Sequence, residues 1–146
     1  MPEIIDTYNE SNGDGNENLY PANWQTAAQS FTGVDAKKLT SCKFYLKKIG
    51  APTGNYFAEL YSHSGTFGTS SIGATLLATS DAFDASTIGT AGFVLYEFIF
   101  SGAQQYEMDA INYVIALNIG AIGDVSNHVQ IRNDTSSPTH AGNEAL

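Results

Sequence analysis

The chain contains few cysteines and few charged residues. It holds one cysteine, Cys42, so no disulfide can form within one molecule. Charged residues make up 14% of the 146 positions, and six Lys and Arg against 15 Asp and Glu give a net charge of −9. An acidic domain repels phosphate groups, so neither nucleic acid nor an anionic membrane is expected as a partner.

Long apolar runs are also missing. The longest, 92–100, is interrupted by Glu97 and is far shorter than the ~20 residues of a membrane helix. No window repeats apolar residues at helical spacing, and the first twenty residues lack the basic and apolar regions of a signal peptide. We therefore expect one domain, 1–146, with neither a membrane span nor an amphipathic helix.

Alternation with period two is the strongest pattern present. In 41–61, apolar residues alternate with polar or aromatic ones in two runs, which the Pro- and Gly-containing segment 51–55 separates. Side chains on a strand point alternately to opposite faces, and Pro and Gly favour turns, so we predict two paired strands. Such a hairpin would share one outer, partly exposed face between Tyr45, Glu59 and Tyr61.

Further runs extend the same pattern along the chain. We predict strands at 2–8, 24–32, 76–83, 93–100, 111–118 and 127–132. The run 93–100 is apolar on both faces, so a central position is expected. Segments 10–18 and 63–73 are predicted loops, and 133–146 is a polar tail without a strand pattern. About eight short strands with Gly-rich turns indicate an all-β, antiparallel β-sandwich.

The alternation also predicts which side chains form the core. The expected inward residues are Cys42, Phe44, Leu46, Ala58, Leu60, Phe98, Tyr113, Ile115, Leu117, Val129 and Ile131. Cys42 is accordingly expected to be an inert buried thiol.

Several segments together resemble a known kind of module. They are AAQSFTG, CKFYLKKIGAPTGNYFAELYSHSGTFGTSS, LLATSDAFDAS, YVIAL and TSSPTHAGN, and they span 6–143. This combination resembles a jelly-roll-like β-sandwich module of phage, archaeal-virus and bacterial surface proteins, which is similar to carbohydrate-binding modules. The resemblance implies an extracellular or virion-surface location and names no catalytic residue. In such modules a further aromatic strand commonly follows the last segment, so here that strand is either absent or supplied by a neighbour.

Candidate sugar-binding residues fall into three groups. Sugar rings stack on exposed aromatic faces, and planar polar side chains bond to sugar hydroxyls. One group is Tyr45, Glu59 and Tyr61 on the predicted hairpin. A second comprises Asn127, His128, Gln130 and Arg132 on the late strand, and Trp24 with Tyr20, in or near a loop, is a third. The alternative is that outward aromatics serve cross-strand pairing, and that Trp24 belongs to the core.

The acidic loop 10–18 is a candidate calcium site. Asn12, Asp14 and Asn16 alternate with glycines, and Glu17 follows, which resembles the start of a calcium loop. The positions that require Gly and Glu in an EF-hand hold Glu17 and Asn23, so this is not an EF-hand. The alternative is a solvated acidic loop.

Catalytic patterns are incomplete. Residues 107–112, EMDAIN, match most of an E-x-D-x-x-E glycosidase signature, but Asn112 replaces the last carboxylate and cannot donate a proton. No nucleophile elbow and no phosphate loop is present, and the three His lack metal-ligand spacing. We therefore predict that the chain is not an enzyme.

Two functions fit these observations. One is a non-catalytic carbohydrate-binding or receptor-binding module, whose partner is a glycan or surface receptor. The other is a structural subunit of a virion, fibre or surface assembly without a small ligand. The tail 133–146 offers no core strand, so the late strand 127–132 is expected either to leave a bare edge or to have that edge covered within the chain. A second copy could fill that edge by strand addition, with 1–8 as a donor, which would give a homo-oligomer.

Overall fold

The computed structural model describes residues 3–69, 72–135 and 144–145, and within them the fold is built from strands. Eight strands have five residues or more, and four have two. In chain order they are β1 Gly15–Leu19, β2 Thr26–Thr32, β3 Lys37–Lys38, β4 Ser41–Ile49, β5 Asn55–His63, β6 Ile72–Thr79, β7 Phe83–Asp84, β8 Val94–Ile99, β9 Glu107–Met108, β10 Asn112–Asn118, β11 His128–Asn133 and β12 Glu144–Ala145. The helical elements in the same ranges are short 3-10 turns, Glu10–Asn12, Ala85–Thr87 and Gly102–Gln104.

The eight long strands pair in a nested order. The first pairs with the last (β1–β11), the second with the seventh (β2–β10), the third with the sixth (β4–β8) and the fourth with the fifth (β5–β6). All four pairs are antiparallel, and they assemble into a small sheet, β1-β11-β4-β8, and a large sheet, β12-β2-β10-β5-β6. This wrapping of paired strands is a jelly roll.

One apolar core joins the two sheets. It contains Phe44, Leu46 and Phe98 from the small sheet and Leu60 and Tyr113 from the large one. The rings of Phe44 and Phe98 meet edge to face with centroids 5.4 Å apart. All eleven side chains predicted to point inward belong to this core or pack against it. The predicted antiparallel β-sandwich is therefore confirmed.

The predicted hairpin at 41–61 is wrong. Both strands form, but β4 pairs with β8 and β11, whereas β5 pairs with β6 and β10. The segment between them crosses from one sheet to the other, and Gly54 there has a positive φ of 120°. Turn residues allow an arch between sheets as well as a hairpin, and alternation within a strand does not identify its partner.

Other predictions need correction at the ends of the chain. Residues 3–8 form no strand, and the predicted loop 10–18 instead contributes β1. A single buried apolar residue, Leu19, suffices for β1, because it pairs with the long strand β11. Within the predicted tail, Glu144–Ala145 pairs with β2, while 136–143 and Leu146 lie outside the described residues.

The predicted positions of two late strands are also wrong. β8 is the edge strand of the small sheet, not a central one, and its Val94, Leu95 and Ile99 are exposed. The strand predicted to have a bare edge is β11, which lies between β1 and β4. Strand addition from a second copy at β11 is thereby excluded, because both of its edges are hydrogen-bonded within the chain.

Candidate functional site

The outer face of the small sheet gathers long polar and aromatic side chains. Opposite residues of an antiparallel pair share a face, and the register pairs Tyr45 with Leu95 and Lys47 with Gln130. β1 extends this face, since Asn18 lies opposite Gln130. We call this surface the cationic face; its polar and aromatic members are Asn18, Lys43, Tyr45, Lys47, Phe93, Glu97, Gln130 and Arg132, that is, three cations and one carboxylate.

Two aromatic rings form the centre of the cationic face. The centroids of Tyr45 and Phe93 are 5.8 Å apart, and the ring planes are tilted by 45°. Both side chains are partly exposed. Phe93 precedes β8, and its contact with Tyr45 brings it onto the sheet surface. The rings thus offer adjacent apolar surfaces on a strand scaffold.

Two cations lie against the ring of Phe93. Lys47 Nζ and Arg132 Cζ are each 5.3 Å from the ring centroid. At this distance the negative ring face attracts a cation, which contributes about 0.5–1 kcal/mol at an exposed site. Arg132 also donates to the carbonyl oxygen of Gly13, so its side chain is held in place from two sides.

Neutral amides flank the cations. Gln130 Nε2 donates to Asn18 Oδ1 over 2.8 Å, which links β11 to β1 across the face. Both side chains are half-buried. A primary amide has two donor hydrogens and two acceptor lone pairs, so this pair has further bonding capacity for hydroxyl groups.

The charge of this face contrasts with that of the whole chain. Three of the six Lys and Arg lie here, Lys43, Lys47 and Arg132. Within the described residues the only ion pair joins Lys37 to Glu3, which lie elsewhere. Glu97 is opposite Lys43 on β8 and accepts a hydrogen bond from Ser41 Oγ over 2.8 Å. The cations around Phe93 are therefore not neutralised by a carboxylate of the described chain.

Glu59 and Tyr61 do not join Tyr45, contrary to the prediction. They lie on β5, in the other sheet, and bond to each other instead. Tyr61 Oη donates to Glu59 Oε2 over 2.6 Å, and Asn118 Nδ2 donates to the same oxygen over 3.1 Å. Desolvation, together with the hydrogen bond to Glu59 and the charge of that carboxylate, raises the pKa of Tyr61 to about 12.

His128 was predicted to point outward but is buried. Its side chain is only 6% exposed, because the ring of Tyr20 packs on it with centroids 5.4 Å apart. Neither ring nitrogen has a hydrogen-bond partner in the described part of the chain. His128 therefore cannot act as a ligand-binding residue while Tyr20 covers it.

Asn127 ties two loops together at one end of the sandwich. Its Oδ1 accepts from the N–H of Ala51 over 3.0 Å, and its Nδ2 donates to Asp124. The Asp124 carboxylate also accepts from the N–H of Ser126, and this bond is the main reason for its lowered pKa. A polar groove of about 270 Å³ lies between the two loops. Asn127 thus holds this loop pair and lies apart from the cationic face.

Trp24 lies in the connection between β1 and β2. It forms an isolated β-bridge with Leu19, and its side chain is 41% exposed. The structure therefore places Trp24 outside the core, contrary to the alternative that it is a core residue, and its role in sugar binding stays a prediction.

The four candidate calcium ligands are spread over two elements. Asn12 ends a 3-10 turn, whereas Asn16 and Glu17 are consecutive in β1, so their side chains point to opposite faces. The Asp14 carboxylate accepts from the N–H and the hydroxyl of Thr135, over 2.7 and 3.0 Å. No group of three His, Cys, Asp or Glu among the described residues is arranged to hold a metal. Calcium binding stays a prediction.

Cys42 is held in its protonated form. It faces the core from β4, and burial raises the pKa of its thiol well above the usual range, with the nearby charge of Glu97 raising it further. The thiolate is the nucleophile, so Cys42 is unsuited to covalent catalysis.

Sequence reasoning found three residues of the cationic face but missed Phe93, the second ring at its centre. Tyr45, Gln130 and Arg132 were predicted, but in different groups. Phe93 was interpreted as part of a central strand, and Lys47 was not proposed as a site residue. The alternation in β4 already put Lys47 beside Tyr45 on one face. Alternation does not identify the two strands that pair with β4. These are β8, next to Phe93, and β11, which carries Arg132.

Among the described residues, no helix is long and apolar enough to cross a membrane.

Comparison with known proteins adds no family assignment. The resemblance to modules of phage, archaeal-virus and bacterial surface proteins stays a prediction. The chain matches no protein-family model, no curated protein and no solved structure.

Proposed function

We propose that the chain is a non-catalytic carbohydrate-binding module that binds a glycan on the cationic face. The observation that supports this proposal is the adjacent pair of partly exposed rings, Tyr45 and Phe93, with planar polar groups beside them. Ring surfaces contact the C–H groups of a pyranose, while the Arg132 guanidinium and the amides of Gln130 and Asn18 bond to its hydroxyls. The expected location is outside the cell or on a virion.

The rigidity of the face favours binding over catalysis. Tyr45, Lys47 and Arg132 lie on paired strands, and Phe93 directly precedes one. Gln130 and Arg132 are held by hydrogen bonds to β1 and to the segment before it. Little side-chain freedom is then lost when a ligand binds, which preserves affinity on a shallow surface.

A glycan screen with matched variants tests the proposal. We expect the native chain to bind at least one glycan, and Tyr45→Ala to weaken that binding about tenfold or more. Tyr61→Ala is the control: it removes a tyrosine of the other sheet and should leave affinity unchanged. Calorimetry measures both affinities. Equal losses in the two variants, or no binding to any glycan, would contradict the proposal.

Assembly into a surface structure is the second candidate function. The edge strand β8 has no strand on its outer side among the described residues, and its Val94, Leu95 and Ile99 are 52%, 41% and 45% exposed. An exposed apolar edge is a template for pairing with another chain. If β8 pairs with a second copy, light scattering should show dimers or larger species, and Leu95→Lys should return the chain to monomers. A monomer in both forms would rule out this assembly.

A further inference from the structure

The cations of the cationic face indicate the chemical class of its ligand. We infer that the glycan is acidic, with a sugar carboxylate placed between Lys47 and Arg132 while its ring contacts Tyr45 and Phe93. This inference rests on the proposed function and specifies its substrate class. The geometry that supports it is the convergence of two cations on one ring, each 5.3 Å from the centroid of Phe93.

Ion pairing does not explain the placement of these cations, although Arg132 also bonds to the Gly13 carbonyl. The ion pair found among the described residues is Lys37–Glu3. An acidic protein could place any polar residue opposite Gln130 or Asn16, yet these positions hold Lys47 and Arg132. Cation–π contact orients both side chains but does not neutralise their charge.

The arrangement suits a carboxylate for a geometric reason. A guanidinium presents a planar fork that binds a carboxylate through two parallel hydrogen bonds. The Arg132 group already donates to the Gly13 carbonyl and lies on Phe93, so its remaining N–H groups have a fixed direction. Lys47 approaches the same ring and supplies a second charge that adapts to the exact position of the anion.

The net charge of the chain limits which acidic ligands are accepted. At −9 the molecule repels a dense polyanion at long range. At physiological salt this repulsion is screened beyond about 8 Å, whereas the contact with the two cations is not. A glycan with isolated carboxylates is therefore preferred to a polymer with a charge on every unit.

A glycan array with paired probes tests the inference. The probes are oligosaccharides that end in sialic acid or a uronic acid, each beside its methyl ester, which keeps the ring and removes the charge. We expect the acidic members to bind and the esters to bind about tenfold more weakly. A double variant, Lys47→Gln with Arg132→Gln, should abolish the difference between acid and ester.

The control variant has the same net charge as the double variant of the cationic face. Lys37→Gln with Lys38→Gln removes the same charge from β3, so acid and ester should be distinguished as in the native chain. Arg132→Lys retains the charge without the planar fork, so its affinity for the acidic probe should lie between that of the native chain and that of the Lys47→Gln, Arg132→Gln double variant. Calorimetry with the strongest acidic probe measures each variant, and circular dichroism verifies that each is folded.

The outcomes separate the two proposals. If acids and esters bind equally, glycan binding stands and the inference is overturned. If both double variants lose the acid preference equally, general electrostatics explain it, and the inference is again overturned. If no probe, acidic or neutral, binds, the proposed function fails and the inference with it. Free acetate that competes as well as the sugar acids would also overturn it, because no ring contact would then be needed.

Discussion

The outer faces of the two sheets are built differently. On the small sheet, the cationic face presents long side chains and partly exposed rings. On the large sheet, Ala28, Val114 and Ala116 form a separate apolar cluster against which Tyr61 packs, and Ala116 is 0% exposed. Both sets point away from the main core. A residue on the outer side of a sandwich is therefore not automatically a surface residue, since this part of the large sheet is buried although it faces away from the main core.

The largest expected effect separates the core from the cationic face within one strand. Phe44 points inward and Tyr45 outward from β4. We expect Phe44→Ala to lower the free energy of unfolding by about 3–5 kcal/mol, the usual cost of emptying a core aromatic site. Tyr45→Ala should cost less than about 1.5 kcal/mol, since it removes partly exposed contacts such as that with Phe93. Chemical denaturation of both variants measures this, and equal losses would show that the Tyr45 side chain contributes as much to stability as that of Phe44.

The next effect distinguishes the two outer faces directly. Ala116→Leu adds volume to a fully buried site on the large sheet and should cost about 1–3 kcal/mol. The matched change on the cationic face is Lys43→Leu at an exposed position, where about 0.5 kcal/mol or less is expected. The denaturation midpoints of the two variants show whether the two stability losses differ in this way. A tolerated leucine at 116 would mean that the large sheet also has an open outer face.

A smaller effect concerns the two tyrosines themselves. Tyr61→Phe removes the hydrogen bond to Glu59 and should cost about 1 kcal/mol. Tyr45→Phe should leave stability unchanged, because the Tyr45 hydroxyl makes no hydrogen bond within the described residues. Thermal unfolding of both variants at neutral pH provides the test, and a loss in Tyr45→Phe would reveal a polar contact on the cationic face.

The same tyrosine predicts a loss of stability in alkali. The pKa of Tyr61 rises from 10.0 in the unfolded chain to about 12 in the fold, so the folded state retains its proton where the unfolded state has lost it. Stability from this group is complete below pH 10 and is lost as the pH rises towards 12. Tyr61→Phe should reduce this fall but not abolish it, because burial also raises the pKa of Tyr56 to about 12. Denaturation at pH 9 and at pH 11 measures the difference, and an identical fall in the variant would contradict it.

Local features of the fold were predictable from the sequence, and pairing between strands was not. The inward side of β4 and β5 follows from alternation, which depends only on neighbouring residues. Their assignment to different sheets depends on β10 and β11, more than fifty residues further along the chain. The predicted site required β4 to lie beside β5, and so it combined Tyr45 with Glu59 and Tyr61. In the structure Tyr45 lies on the small sheet, whereas Glu59 and Tyr61 lie on the large sheet.

Composition also led to wrong predictions for the strands β1 and β8. β1 has the sequence GNENL and reads as a loop, yet pairing with β11 holds it as a strand. β8 has apolar residues on both faces and reads as central, yet it lies at an edge. In both cases the environment of the strand is set by a distant neighbour, so the residues of the strand alone do not determine it.

The nested pairing of the strands has a consequence for how the chain reaches its structure. Only β5 and β6 are close in sequence; each further pair closes a longer loop, and the outermost joins Gly15 to Asn133. Closing long loops costs entropy before any contact repays it, so folding is expected on the slow scale of milliseconds to seconds. On a ribosome, the small sheet cannot be completed until β11 has emerged. Until then the apolar sides of β4 and β8 remain open to other chains, which makes the interval of synthesis the period of greatest risk of aggregation.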